Sequence, residues 1–319
     1  MGNKIMIVGT GNVGASIAFA LVNRHTAVRE IVLTDIAEAD AEGEAMDLTD
    51  ALPFSPSFIK IRSGSYADAH DADIVVLTAG APQKPGETRL DLVKKNAEIT
   101  KSVVTEIMAS GFSGIFIVVA NPVDIITFFT YFYSKLPSNK VIGTGTMLDT
   151  SRLKIRLASC LNVNAEAIHA YQIGEHGDSE FTLWSLANAG GQKITSLLPF
   201  STLEGIEDYV KNEAYDIIER KGSTHYGIAV CVVRIIESIL NNEHQVFSVS
   251  SFCEDSGIFY GYPAVIGKKG VEHRLNLSLT NSERIKLQKS INVIRSTITD
   301  TIEHGYNARI KTVNKNEKK

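Results

Sequence analysis

The strongest constraint on the fold lies at the start of the chain. Lys4 to Val8 reads as a short buried strand, and Gly9-Thr10-Gly11-Asn12-Val13-Gly14 follows at once. Ala15 to Val22 is then apolar nearly all round, as a helix packed under a sheet is. Strand, GxGxxG and helix in that order form the context a dinucleotide-binding turn needs. Gly9 permits the tight turn, Gly11 lets backbone approach a diphosphate, and Gly14 lets helix and strand pack closely. The diphosphate sits at the helix N-terminus, where free N–H groups and the helix dipole favour an anion. A second strand, Glu30 to Thr34, ends on Asp35, about twenty residues past the motif. Asp35 can accept hydrogen bonds from both ribose hydroxyls and would repel a 2′-phosphate, which favours NAD over NADP. A plain strand-end aspartate in a turn is the alternative.

The alternation continues. Phe58 to Arg62, Ile74 to Thr78, Ile115 to Ala120 and Val141 to Gly143 read as strands, with helical runs between them, notably Asp91 to Ser110. This pattern implies an α/β fold with a Rossmann-type doubly wound parallel sheet over residues 1–145, and ligands at the carboxyl ends of its strands. Those ends carry Gly9, Asp35, Thr78-Ala79-Gly80 and Asn121-Pro122. Between Ala81 and Arg89 lies a proline-flanked polar run with Gly86, which suits a lid that carries Arg89 onto a bound ligand. A solvated first-turn arginine remains the alternative.

Residues 146–319 read as an α+β domain that supplies the chemistry. The stretch Ile168 to Ser179 delivers His176 between two glycines and two carboxylates, where neighbours can hold the ring while it faces a ligand. Asp149 and Arg152 share one side of a helix opening near Leu148. Either Asp149 caps the helix and Arg152 pairs with it, or they serve different partners: Asp149 orients His176, and Arg152 grips a carboxylate through two parallel hydrogen bonds. Ser223-Thr224-His225 interrupts two helices, so Thr224 either caps a helix or lines a pocket. Val246 to Phe252, Ile258 to Ile266 and Val271 to Leu275 read as antiparallel strands. Thr280 to Glu283 forms a capping box before a last helix with a Leu287, Ile291, Ile294, Ile298, Ile302 stripe. Lys311 to Lys319 reads as a frayed, charged tail.

Composition narrows the partners. A formal net charge of -4 provides no basic patch for nucleic acid. No apolar run approaches the roughly 20 residues of a membrane span. The three cysteines, Cys160, Cys231 and Cys253, are widely spaced and lack CxxC pairing, which argues against a disulfide framework or a metal site. With no leader-like segment before Lys4, a cytoplasmic location is expected.

The segments GTGNVG, AGAPQKPGETRLDLV, NPVD, GTGTMLDTSR, IGEHGDSE and KGSTHYGIA together resemble the L-lactate/malate dehydrogenase family, nearest its bacterial L-lactate branch. The resemblance runs from about Lys4 to the last helix. It implies reversible hydride transfer between NADH and pyruvate, giving L-lactate. His176 would be the proton donor/acceptor with Asp149 as its partner, Arg152 the carboxylate clamp and Arg89 the carbonyl-polarising arginine. Asn121 and Thr224 match substrate-pocket positions. Val13, Asp35, Tyr66, Gly80, Ala81, Asn121 and Thr144 match cofactor contacts, and the Asn121–Pro122 bond is expected to be cis. Gln83 stands where malate dehydrogenases of this type usually carry arginine, which favours pyruvate over oxaloacetate. His169 matches a position that binds fructose 1,6-bisphosphate in many bacterial members, while Lys154 replaces its arginine partner and loses the bidentate fork. The resemblance implies a homotetramer, without the N-terminal arm of longer members. Malate dehydrogenase, another 2-hydroxy acid dehydrogenase and a non-catalytic NAD-binding sensor are the competing readings.

Overall fold

The computed structural model describes residues 3–81 and 88–316, with residue 89 and residues 304–316 described by their backbone alone. Strands and helices alternate through the first half as expected. β1 (Asn3–Val8), α1 (Asn12–Val22), β2 (Val28–Thr34), α2 (Glu38–Asp50), β3 (Lys60–Ser63), β4 (Ile74–Leu77), α3 (Arg89–Ala109), β5 (Ile115–Val118), α4 (Val123–Ser134) and β6 (Val141–Gly143) follow in order. Every pairing among these six strands is parallel, in the spatial order 3-2-1-4-5-6. Strand order reverses between β1 and β4, and there the Gly9 turn opens.

Parallel strands buried on both faces need apolar residues at consecutive positions, and β1 supplies them. Ile5 and Ile7 pack with Ile17 and Leu21 of α1, whereas Met6 and Val8 pack on the opposite face with Val104 and Ile107 of α3. The two-residue period sends alternate side chains to opposite sides, so one short strand feeds two cores.

The second half begins with α5 (Met147–Leu161) and a series of two-residue strands: β7 (Ile168–His169), β8 (Gln172–Ile173), β9 (Phe181–Thr182), β10 (Asn188–Ala189) and β11 (Gln192–Lys193). Three helices follow: α6 (Ile194–Leu197), α7 (Phe200–Lys221) and α8 (Tyr226–Asn241). The strands β12 (Gln245–Cys253), β13 (Ile258–Gly267) and β14 (Gly270–Arg274) are antiparallel, as their alternation suggested. They do not form a sheet of their own. β12 meets β6 through Ser250 and Gly143, so β1–β6 and β12–β14 make one nine-stranded sheet, parallel at one end and antiparallel at the other, while β7, β10 and β11 and the pair β8–β9 form two small sheets apart from it. A Cβ on Gly143 would stand 2.7 Å from that of Ser250, so the junction needs a residue without one.

The last helix, α9 (Asn281–Asn316), opens on the expected capping box. Thr280 N–H donates to Glu283 Oε2 at 2.9 Å, and Glu283 N–H donates back to Thr280 Oγ1 at 3.3 Å. Leu287, Ile291, Ile294 and Ile298 face a core shared with α3, α4 and β13, but Ile302 is 48% exposed: the stripe outlasts the surface it packs on. The backbone stays helical to Asn316, beyond the expected start of fraying at Lys311, as no Gly or Pro follows Gly305 to stop it; residues 317–319 lie outside the described residues.

Candidate active site

A hairpin delivers His176. β8 and β9 pair antiparallel, and residues 174–180 form the loop between them. Gly174 has φ +99° and exchanges two 2.8 Å backbone hydrogen bonds with Gly261 of β13. The Glu175 N–H donates to Ser290 Oγ of α9 at 2.5 Å, and the His176 N–H donates to Asp124 Oδ2 of α4 at 2.8 Å. Three elements remote in sequence therefore fix the backbone that carries the imidazole.

The ring itself is held from a fourth. His176 Nδ1 lies 2.7 Å from Asp149 Oδ2, and Arg152 Nη1 donates to Asp149 Oδ1 at 3.0 Å. The two readings of Asp149 and Arg152 were not exclusive: one buried carboxylate, with two oxygens, serves the imidazole and the guanidinium together. Glu175 Oε2 accepts from Ser179 Oγ at 2.5 Å, while Asp178 lines the cavity.

Burial and charge then set the protonation states. The Asp149 carboxylate raises the His176 pKa to about 10, against the opposing effect of burial. Burial acts to raise Asp149, yet His176 and Arg152 outweigh it and its pKa lies below the usual value. Glu180 is a third acid here, with Oε1 accepting from Gln172 Nε2 at 3.4 Å and Oε2 3.9 Å from His176 Nδ1. Burial first, and the Asp149 charge second, raise the Glu180 pKa well above its usual value. Glu180 Oε2 is buried without a hydrogen-bond partner among the described residues and stands beside the Asp149–His176 pair. Asp149, His176 and Glu180 come within 4.8 Å of one another, a spacing a cation accepts, but Arg152 already supplies positive charge to that carboxylate.

A cavity of about 440 Å³ opens on this group. Its walls include Leu92 of α3, Asn121 and Pro122, and Lys211, Ala214 and Tyr215 of α7. The Asn121–Pro122 bond is cis. At the other end of the strand edge, Asp35 Oδ2 accepts from the Thr10 N–H at 2.7 Å and Oδ1 from the Ala37 N–H at 3.1 Å. Asp35 thus holds the glycine turn as well as standing at a strand end. A Cβ on Gly14 would fall 1.9 Å from Gly9 O, whereas one on Gly11 would meet nothing within 4 Å. The turn is closed on its protein side and open where a diphosphate would approach.

Residues 3–143 match the family model described as lactate/malate dehydrogenase, NAD binding domain, and residues 146–304 match lactate/malate dehydrogenase, alpha/beta C-terminal domain. The chain belongs to the lactate/malate dehydrogenase family. It is 47% identical over 310 residues to L-lactate dehydrogenase 2 of Bacillus cereus, covering 94% of this chain and 98% of that protein. L-lactate dehydrogenase 1 of Bacillus anthracis is 46% identical over the same coverage. Among solved structures, the ligand-bound minor L-lactate dehydrogenase of Enterococcus mundtii superposes with a TM-score of 0.92 at 44% identity, covering 94% of this chain and 98% of that one. A lactate dehydrogenase from a Medee basin deep-sea metagenome library gives 0.91 at 45%, covering 94% and 99%.

The family's NAD-binding half gathers Gly9, Gly11, Val13, Gly14, Asp35, Gly80, Ala81, Asn121 and Thr144 along one edge, where β1, β2, β4, β5 and β6 end. Tyr66 stands in a short 3-10 turn close enough to Asp35 that, after burial and Glu106, this carboxylate contributes to raising its phenol pKa. Thr224 precedes His225, the N-cap residue of α8, and is not among the residues lining the His176 cavity. Its neighbour Ser223 instead accepts from Asn12 Nδ2 at 3.1 Å, joining the second half to the glycine turn. Arg89 opens α3 but its side chain lies outside the described residues, and so does Gln83 altogether. His169 is exposed on β7; burial lowers the pKa of Lys154 on α5.

Four residues that hold the site escaped the sequence reading. Asp124 and Ser290 pin the loop, Glu180 adds a buried acid, and Asn96 clamps two strand ends. Asn96 Oδ1 accepts from the Ala81 N–H at 2.8 Å, and its Nδ2 donates to Asn121 O at 2.7 Å. Asn96 is 3% exposed in the middle of α3. A polar residue on the apolar face of Val93 and Ala97 was the one available signal.

Proposed function

We propose that the chain is an NAD-dependent L-lactate dehydrogenase that interconverts pyruvate and L-lactate. One observation carries the reading: His176 and Arg152 meet on the two oxygens of Asp149, in the cavity that Asn121 borders. Residues 1–145 hold the dinucleotide and residues 146–319 complete the substrate site. Gly9, Gly11, Val13 and Gly14 cradle the diphosphate, Asp35 takes the ribose hydroxyls, and Tyr66, Gly80, Ala81, Asn121 and Thr144 are further contacts. Bound NADH supplies the hydride.

Arg152 grips the substrate carboxylate and Arg89 polarises its carbonyl. With Nδ1 on Asp149, protonated His176 keeps Nε2 for the keto oxygen and gives up its proton as negative charge grows there. Asp149 supports the imidazolium before that transfer. Asn121 completes the pocket. Gln83 offers no counter-charge to a second carboxylate, so oxaloacetate suffers a burial penalty of roughly several kcal/mol.

The finer reading extends to assembly. Exposed Phe19, Tyr226 and Val230 border a second cavity of about 610 Å³ between α1, α2 and α8, an apolar surface suited to a neighbouring subunit of a homotetramer. Lys154 and His169 form a candidate fructose 1,6-bisphosphate site. No described helix is long and apolar enough to cross a membrane, and a cytoplasmic enzyme accords with that.

NADH oxidation against a panel of 2-keto acids, with and without fructose 1,6-bisphosphate, tests the reading. Pyruvate should lead, with oxaloacetate at least about a hundredfold lower in kcat/KM, and Gln83→Arg should invert that order. Turnover with none of the acids, despite NADH binding, would leave only a nucleotide-binding sensor.

A further inference from the structure

A carboxylate of the protein already stands on the guanidinium that the substrate must use. Glu213 Oε2 lies 3.4 Å from Arg152 Nε, while Arg152 Nη1 donates to Asp149 at 3.0 Å. A guanidinium offers a carboxylate two bidentate edges: Nε with one Nη, or both Nη atoms. Each edge here contains one nitrogen that faces an acid. The positive charge meant to attract a substrate carboxylate is therefore shared between two carboxylates of the chain itself.

The two acids are not equally replaceable. Asp149 is 3% exposed and its other oxygen holds His176, so displacing it would release the imidazole. Glu213 Oε2 is buried yet has no hydrogen-bond partner, for its contact with Nε is an ion pair without hydrogen-bond alignment. Among the described residues its remaining anchor is Tyr209, which donates to Oε1 at 2.9 Å. The helix under it is firm at one end only: Leu203, Ile206 and Val210 are buried, while no residue of α7 beyond Val210 is. The exposed half of α7 carries Lys211, Ala214 and Tyr215 along the cavity wall, so Glu213 can turn away without unseating the core.

We propose that Glu213 is a resident competitor for the substrate carboxylate, so that binding a 2-keto acid exchanges Glu213 for the substrate on Arg152 and sets the apparent affinity of the site. This rests on the lactate dehydrogenase reading. Glu213 is not a catalytic residue: it acts through Arg152 before the reaction begins. It raises the KM for any substrate held by one carboxylate and leaves the proton transfer from His176 alone.

Glu213→Gln removes the charge and keeps the shape. The measurements are KM for pyruvate and the affinity of the NADH complex for oxamate, an unreactive isostere of pyruvate, read by quenching of NADH fluorescence. Both should tighten by about two- to fivefold, the range of a partly exposed ion pair, with the gain in kcat/KM coming through KM. Glu213→Ala, which also releases Tyr209, should move both in the same direction. Affinity for NADH itself reports whether each variant is folded and should not change. Unaltered or weaker oxamate binding in both variants, with NADH binding intact, would overturn the proposal. Because oxamate binding needs no turnover, inactivity of the unsubstituted chain with every 2-keto acid would count against the enzyme reading while the Glu213 comparison still stands.

Discussion

Asp35 and Asp149 mark two regions of this molecule built by different means. Asp35 ends a strand, and its oxygens accept backbone N–H groups of Thr10 and Ala37, all within one βαβ unit. Its partners are two peptide groups and the Thr10 hydroxyl, all close to it on the same unit, so the geometry follows from chain direction and the glycine turn. Asp149 is buried at the start of α5, and its partners are charged side chains: Arg152 one turn away and His176 on a hairpin loop held by α4, β13 and α9. The nucleotide end is local and made of backbone. The catalytic end is assembled from distant pieces and balanced by charge, so a single altered charge should disturb it more.

The largest test of that contrast removes the proton carrier or its partner. His176→Ala should lower kcat for pyruvate reduction by about 10³-fold or more, and Asp149→Asn by about 10²- to 10³-fold, with NADH affinity retained. A loss of NADH binding on the same scale would mean the two regions are not separable.

A second test uses pH. The folded pKa of His176 lies near 10, above its ordinary 6.5, so the ring is protonated at neutral pH. The stabilisation that Asp149 gives the imidazolium is complete below pH 6.5 and is lost as pH rises through about 10. Pyruvate reduction, which needs the proton, should fall over that upper range, and lactate oxidation, which needs the neutral ring, should rise. In Glu180→Gln the falling limb should move to lower pH, because Glu180 adds to the field that holds the proton. A limb unmoved in the variant would remove Glu180 from the charge balance.

At the nucleotide end the expected effect is smaller. Asp35→Ser should weaken NADH by about tenfold and narrow the preference over NADPH, because a ribose acceptor and a repelling charge are lost together. Unchanged discrimination, measured as the ratio of kcat/KM for the two cofactors, would reduce Asp35 to a turn residue.

The smallest effect belongs to a local feature inside the assembled half. Thr280→Ala breaks the α9 capping box and should cost about 1 kcal/mol of stability, seen as a lower Tm, with kcat little changed. Glu283 also accepts from Ser185 Oγ at 2.8 Å, so a larger loss would show that the cap ties α9 to the segment after β9.

Legibility followed the same division. The six parallel strands, the open Gly11 and the strand-end position of Asp35 could be read directly, because a two-residue period, a glycine spacing and a strand end are properties of neighbouring residues. The alternation at residues 246–275 also gave three antiparallel strands, but their pairing with the first sheet through Ser250 and Gly143 had no local sign. His176, Asp149 and Arg152 were identifiable as candidates by their motifs. Their sharing of one carboxylate, and the acid Glu213 on the far side of Arg152, depend on where α5, α7 and the hairpin meet.

What the sequence determined by itself is thus the run of parallel strands, the glycine turn, the residue types available for chemistry and the family they belong to. These rest on hydrogen bonds and apolar contacts whose period is written in consecutive residues. Only the tertiary structure decided how charge is distributed among Asp149, Glu180, Glu213, Arg152 and His176. Electrostatic energy depends on distance and burial, and neither is a property of spacing along the chain.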